Sequence, residues 1–144
     1  MPGDCATIRE YFEIKTAVEK VLSLEEIPAD AAPECLELMT GLFHPYDLTY
    51  IRTCSLAITD SIMQNRLHQA LEFGNIVLSV VRRLAPGSSA QLELMMRLMR
   101  IQAELGKLED LDRMVQAGLV DLYTSTEHCT QILRLRDKLT VDKI

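Results

Sequence analysis

Apolar residues recur every three or four positions along almost the whole of this 144-residue chain, a spacing typical of helices that bury one face. No stretch of any length alternates with the two-residue period of a strand. Breaks containing Pro, Gly, Asp or Ser divide the pattern into about seven helices, the first over residues 6–23 and the fourth over 66–84. Because the connections are only a few residues long, consecutive helices are expected to run antiparallel. The sequence therefore predicts an all-α protein.

Several of the predicted helices begin at residues suited to capping. Asp47 precedes the third helix, and Ser88 opens a Ser-x-x-Gln capping box before the fifth. Thr124 opens a second box, of the form Thr-x-x-Glu, before the last helix. His44 precedes a proline in the turn before the third helix, and we expect it to brace that turn.

Two stretches of the chain, residues 66–73 and 107–114, resemble each other. Each begins a helix after a polar turn and places bulky apolar residues at matching positions. Both look like the start of the second helix of a tetratricopeptide unit, although they lie further apart than the ~34 residues typical of that repeat. The predicted fold is a set of antiparallel helix pairs stacked as a tetratricopeptide-like right-handed array, which leaves a groove. A plain helical bundle is the alternative interpretation.

The length of the chain favours one domain. Within it we predict an acidic N-terminal helical module at 1–41, repeat-like helix pairs at 42–85 and 88–123, and a closing helix at 124–139. Residues 1–40 carry nine acidic and three basic side chains, whereas the rest of the chain carries twelve of each. A nucleic-acid partner is not expected, because binding phosphates requires a basic face.

Neither a membrane span nor a secretory signal is visible in the sequence. No apolar run approaches the ~20 residues of a transmembrane helix. Residues 1–5 lack the basic and apolar regions of a signal peptide. We therefore expect a cytoplasmic or nuclear protein that does not contact membranes.

The residue types that carry catalysis or bind metals are scattered. The four cysteines are Cys5, Cys35, Cys54 and Cys129, with no CxxC pair and no His at metal-ligand spacing. We predict free thiols packed as small apolar groups. The sequence has no phosphate-binding glycine motif and no nucleophile paired with a base. We expect no catalytic residue, no cofactor and no metal, and hence a chain that is not an enzyme.

The candidate partner-binding residues are arginines. Arg97 and Arg100 lie three residues apart on the fifth helix and share a face. If that helix lines the groove, they would bind a carboxylate or an acidic peptide; ordinary surface arginines are the alternative. Arg52 on the third helix is a weaker candidate, because tetratricopeptide domains that hold chaperone tails usually combine Lys and Asn on the first helices of their pairs, and this helix has no Lys or Asn facing in the expected way.

The fifth and sixth helices also carry four methionines, Met95, Met96, Met99 and Met114. Met fills irregular gaps in cores and also builds adaptable binding surfaces. We interpret most of these residues as gap-filling core, with a binding surface as the alternative.

A resemblance to a known family lies in residues 42–47 (Leu-Phe-His-Pro-Tyr-Asp), 50–52 (Tyr-Ile-Arg) and 70–74 (Ala-Leu-Glu-Phe-Gly). These segments, with the Thr-x-x-Glu-His of 124–128, resemble the C-terminal helical domain of the SET-and-MYND protein lysine methyltransferases over about residues 36–139. The catalytic SET motif and zinc-binding cysteine clusters of that family have no counterpart here. The chain thus resembles the C-terminal module alone, as a small relative or as a fragment. The resemblance implies a module that walls one side of a substrate cleft and contacts chaperones.

Three hypotheses of function follow. The leading one is a non-catalytic module that binds a protein or peptide segment in a helical groove, a chaperone or a basic protein tail being candidate partners. The second is a fragment or truncated relative of a SET-and-MYND lysine methyltransferase, in which the module shapes access of the substrate. The third is a structural protein that self-associates through its Leu- and Met-rich faces.

Overall fold

The computed structural model describes residues 5–141, and within that range it contains seven α-helices and no strand. The helices are α1 (Cys5–Leu22), α2 (Ala31–Met39), α3 (Leu48–Met63), α4 (Leu67–Leu84), α5 (Ser89–Glu104), α6 (Leu108–Asp121) and α7 (Thr126–Val141). The all-α prediction is confirmed, and each helix begins and ends within a few residues of its predicted bounds. Helices that follow one another through short connections and pack together form antiparallel pairs.

The chain divides into two compact units, and the first is Met1–Arg66. In it α2 packs against α3, and α1 packs against both. The apolar core of this unit includes Val18, Leu22, Ala32, Cys35, Leu36, Met39, Phe43, Cys54, Ala57 and Ile58. The apolar stripe expected along α1 is buried only in its second half, since Ile8 and Phe12 are 45% and 57% exposed. α2, which packs against α1, has only nine residues and is about 13 Å long, half the length of the 18-residue α1.

The second unit is Leu67–Ile144, in which α5 packs against α4, α6 and α7, and α6 packs against α7. Its core includes Leu71, Leu78, Leu92, Met95, Leu98, Met99, Leu111, Val115, Leu122 and Ile132. The gap-filling interpretation of the methionines is confirmed, since Met95, Met99 and Met114 are buried and Met96 is half-buried. Two buried glycines, Gly74 on α4 and Gly118 on α6, lie directly against side chains of neighbouring helices, Leu98 of α5 and Ile132 of α7.

The predicted caps are formed by side-chain hydrogen bonds. Asp47 accepts a hydrogen bond from the Thr49 amide (2.9 Å), which confirms it as the N-cap of α3. Ser88 accepts one from the Gln91 amide (3.2 Å), which confirms it as the N-cap of α5. The turn before α3 is braced as expected, because His44 Nδ1 accepts a hydrogen bond from the Tyr46 amide (3.1 Å).

The cap predicted for the last helix is wrong by one residue. The hydroxyl of Ser125, not that of Thr124, accepts the hydrogen bond from the His128 amide (3.2 Å). α7 begins at Thr126, so Ser125 is the residue that directly precedes its first turn.

The boundary between the two units falls between Arg66 and Leu67, inside the predicted helix pair 42–85. The predicted single domain and its subdivision stay predictions. No helix in the described part of the chain is long and apolar enough to cross a membrane.

Candidate functional site

The second unit contains a groove of about 530 Å³ between α4 and α6, with α5 beneath it. The groove is lined by His68, Leu71, Glu72, Asn75, Leu78, Arg82, Met95, Gln102, Lys107, Asp110, Arg113, Met114 and Ala117. Its floor consists of buried side chains, mostly apolar, whereas exposed and half-exposed polar side chains form its two rims. An apolar floor under a polar rim is the usual composition of a binding site in proteins.

Helical spacing explains how each helix contributes. The α4 residues of the groove recur every three or four positions from His68 to Arg82, and those of α6 do so from Asp110 to Ala117. Residues with this spacing lie on one face of a helix. Only Met95 and Gln102, about two turns apart, reach the groove from α5. The groove therefore follows the long axis of α4 and α6.

Ion pairs balance most of the charge at the rims. Arg82 Nε lies 2.6 Å from Asp121 Oδ2, and Arg113 lies 2.9 Å from Asp110. Arg113 also lies 3.8 Å from Glu109, an exposed pair at the range where such contacts contribute little. The other charged lining residues, Glu72 and Lys107, are opposite in sign, so the groove has no net preference for an acidic or a basic ligand.

A buried amide ties α4, α5 and α6 together at one end of the groove. Gln91 is fully buried, and its oxygen accepts a hydrogen bond from the Gly87 amide (2.8 Å). Its nitrogen donates to Asp121 Oδ2 (2.6 Å), the same carboxylate oxygen that Arg82 contacts. Both ends of the Gln91 side chain are therefore satisfied within the fold.

A second buried amide, on the groove floor, is not satisfied in this way. Gln102 is only 6% exposed, and its Oε1 is buried without a hydrogen-bond partner. Buried polar groups are nearly always hydrogen-bonded, because an unpaired acceptor loses its hydration without compensation. His128 Nδ1 is also buried and unpaired, but this residue does not line the groove.

The sequence-predicted site residues lie elsewhere. Arg97 and Arg100 are exposed on α5 and do not line the groove. At ~100° per residue they lie about 200° and 140° around the helix from Met95, on the side of α5 that faces away from the groove. Arg52 is exposed on α3, in the first unit. α5 does line the groove, through Met95 and Gln102, but Arg97 and Arg100 are not among the lining residues, and their role in binding a partner stays a prediction.

A polar cluster in the first unit joins α1 to the turn before α3. The Tyr11 hydroxyl donates a hydrogen bond to Asp47, and Lys15 Nζ lies 3.4 Å from the Tyr11 oxygen. Burial alone would raise the pKa of Asp47, but the hydrogen bonds from Tyr11 and the Thr49 amide and the charge of Lys15 bring that pKa below its ordinary value. The cluster holds the cap of α3 in place.

The cysteines match the predicted free thiols where their side chains are described. Cys35 and Cys54 are buried and Cys129 is half-buried, and all three are free. Burial raises the pKa of the Cys54 thiol to about 11, so it is protonated at neutral pH. The prediction for Cys5 lies outside the described side chains. Among residues 5–141, no three or more His, Cys, Asp or Glu side chains are grouped so as to hold a metal ion.

Sequence reasoning missed the groove residues Asn75 and Gln102. One signal was present for Gln102: it follows Met95 by seven residues, so a polar side chain stands on a face that is otherwise apolar. Asn75 has no such signal, because an exposed Asn on a helix is ordinary.

Comparison with known protein families, with characterised proteins and with solved structures finds nothing that matches this chain.

Proposed function

We propose that this chain is a non-catalytic interaction module that binds a protein or peptide segment in the groove between α4, α5 and α6. The observation that carries the proposal is the groove itself, with buried side chains at its floor and charged side chains at its rims. The floor supplies contact area and the rims orient the ligand. The 18 residues of α4 span about 27 Å, a length that about eight residues of extended peptide would cover.

The experiment tests whether a bulky side chain placed in the groove abolishes the binding of selected peptides. Full-length protein is immobilised and used to select binders from a displayed library of random linear peptides, each about eight to ten residues long. Ala117 is half-buried on the α6 side of the groove, so Ala117→Phe places a ring where the peptide would lie. Gln116→Phe is the matched control, because it adds the same ring to the exposed face of α6.

We expect the selected peptides to lose binding to Ala117→Phe and to keep it with Gln116→Phe, while thermal unfolding verifies that both variants fold. Selected peptides that bind Ala117→Phe as tightly as the unchanged protein would place the site outside the groove. The double variant Arg97→Glu with Arg100→Glu then tests the alternative site on the opposite face of α5. A loss of peptide affinity in this variant would place the binding site on that face.

A second candidate function follows from the family resemblance: a module of a SET-and-MYND-like lysine methyltransferase that shapes access of the substrate. It is supported by the sequence resemblance of residues 42–47, 50–52 and 70–74 alone. The mass and zinc content of the native polypeptide separate the two candidates. A much larger zinc-containing polypeptide would favour the second, and one close to 16.3 kDa the first.

A further inference from the structure

We propose that Gln102 recognises the main chain of the bound segment, its carboxamide oxygen accepting a hydrogen bond from a backbone N–H of an extended peptide in the groove. This role depends on the groove binding proposed above, and it names both the contact and the kind of ligand. Two observations support it: Gln102 lies on the groove floor, and its Oε1 is buried without a partner. Because this oxygen is closed to solvent in the free protein, binding turns the carboxamide toward the groove.

The contrast with Gln91 indicates that Gln102 serves a ligand and not the fold. Both residues are on α5 and both are buried, at 0% and 6% exposure. Gln91 has partners for its oxygen and its nitrogen, and these partners connect three helices. Gln102 Oε1 has none, so the free protein carries a buried acceptor that a Met or Leu of similar size would avoid. A residue that destabilises the unbound fold is expected at a site of binding.

The chemistry of the groove favours a main-chain donor. An amide oxygen only accepts hydrogen bonds, so its ligand partner must present an N–H or O–H. The rim charges of Arg82 and Arg113 are already paired with carboxylates, and the charged lining residues outside these pairs, Glu72 and Lys107, are opposite in sign, so the groove does not select a ligand of one charge. An extended peptide presents main-chain N–H groups along its whole length, with alternate side chains directed to opposite sides. Those side chains would point toward the α4 rim and the α6 rim.

The test compares Gln102→Met with Gln91→Met, using the peptides selected on the full-length protein. We expect Gln102→Met to bind them about tenfold more weakly, the effect of losing one hydrogen bond, while its thermal midpoint rises. Gln91→Met is expected to lower the thermal midpoint, because it leaves the Gly87 amide without its acceptor and removes one of the two donors to the Asp121 carboxylate. A purely structural role for Gln102 would instead lower the midpoint of Gln102→Met, and that result would overturn the proposal.

A scan of ester-containing peptides identifies the donor. Each selected peptide is prepared with one backbone N–H at a time replaced by an ester oxygen, which cannot donate. We expect the ester at one position of the peptide to weaken binding to the unchanged protein about tenfold. The same ester should not change the affinity of the peptide for Gln102→Met. If no ester shows this coupling, or if only replacement of a Lys by norleucine does, the donor is not the main chain and the proposal is wrong.

The outcomes also separate this inference from the function on which it depends. Peptides that are blocked by Ala117→Phe but bind Gln102→Met with full affinity would refute the role of Gln102 and leave groove binding intact. A library that yields no peptide sensitive to Ala117→Phe would refute both.

Discussion

Gly74 of α4 faces the side chain of Leu98 on α5 so closely that a Cβ atom added at Gly74 would lie 2.3 Å from Leu98 Cδ2. Leu98 is fully buried and its packed surroundings leave it little room to move. The distance between α4 and α5 beneath the groove is therefore set by the absence of a side chain at position 74.

The first prediction is that Gly74→Ala destabilises the protein. In an exposed helix interior the same change stabilises by about 1 kcal/mol, because Ala has the higher helix propensity. Here overpacking against Leu98 should reverse the sign and lower the free energy of unfolding by about 1–3 kcal/mol. Urea unfolding followed by circular dichroism measures the change. The double variant Gly74→Ala with Leu98→Ala should lose less than the sum of the single changes, and a stabilised Gly74→Ala would contradict the close packing.

The second prediction concerns the carboxylate that links Gln91 to Arg82. Asp121 is the last residue of α6, where the helix dipole disfavours a negative charge, so its two partners offset that cost. Asp121→Ala leaves the buried nitrogen of Gln91 without its acceptor and should cost about 1–3 kcal/mol of stability. Asp112→Ala on the exposed face of the same helix is the control and should change stability by less than about 0.5 kcal/mol. Equal effects of the two changes in chemical denaturation would show that the network contributes nothing.

The third prediction concerns the loss of stability of the first unit at acidic pH. The pKa of Asp47 is below its ordinary value in the folded protein, so its contribution is present above about pH 4 and is lost as the pH falls through the folded-state pKa. Tyr11→Phe removes one of the hydrogen bonds that lower this pKa and should cost about 1 kcal/mol at neutral pH. The difference from the unchanged protein should shrink at acidic pH. A difference that is constant from pH 7 to about pH 3 would show that the bond does not depend on the Asp47 charge.

The fourth prediction concerns the buried thiol of Cys54. Its folded-state pKa of about 11 lies above the ordinary value, so its contribution to stability is present below about pH 8.5 and falls as the pH rises toward 11. Cys54→Ala should flatten this alkaline decline in unfolding experiments. Mass spectrometry after iodoacetamide treatment at pH 8 should find Cys54 unmodified in the folded protein and modified in urea. Rapid modification of Cys54 without denaturant would contradict the burial seen here.

The sequence was sufficient to predict the helices and most of their caps, because these depend on interactions within a few residues. Asp47 and Ser88 each form a bond to an amide two or three residues ahead, so the residue types alone identify them. The Thr-x-x-Glu pattern pointed to Thr124, but Ser125 also carries a hydroxyl and directly precedes the observed start of α7, so Ser125 forms the cap.

The candidate site was not predictable in the same way. The face of α5 that lines the groove is determined by where α4 and α6 pack, and no local pattern on α5 encodes that choice. Two arginines with matching spacing therefore stood out in the sequence, while Arg97 and Arg100 lie on the face opposite the groove. Gln102 carries no charge and no motif; the sequence shows only a polar residue seven positions after Met95, and the lack of a partner for its Oε1 is visible only in three dimensions.

The side chain of Gln91 is fully hydrogen-bonded and Gln102 Oε1 is not, and this difference affects how the two positions would change during evolution. Selection for folding alone retains Gln91, because each of its polar atoms has a partner. The same selection disfavours Gln102, since any apolar residue of similar volume removes an unpaired acceptor. In descendants that no longer need the ligand, position 102 is expected to drift toward Leu or Met while position 91 stays polar. If Gln102 contacts the ligand as proposed, the amide at position 102 would be a sequence marker of related chains that still bind.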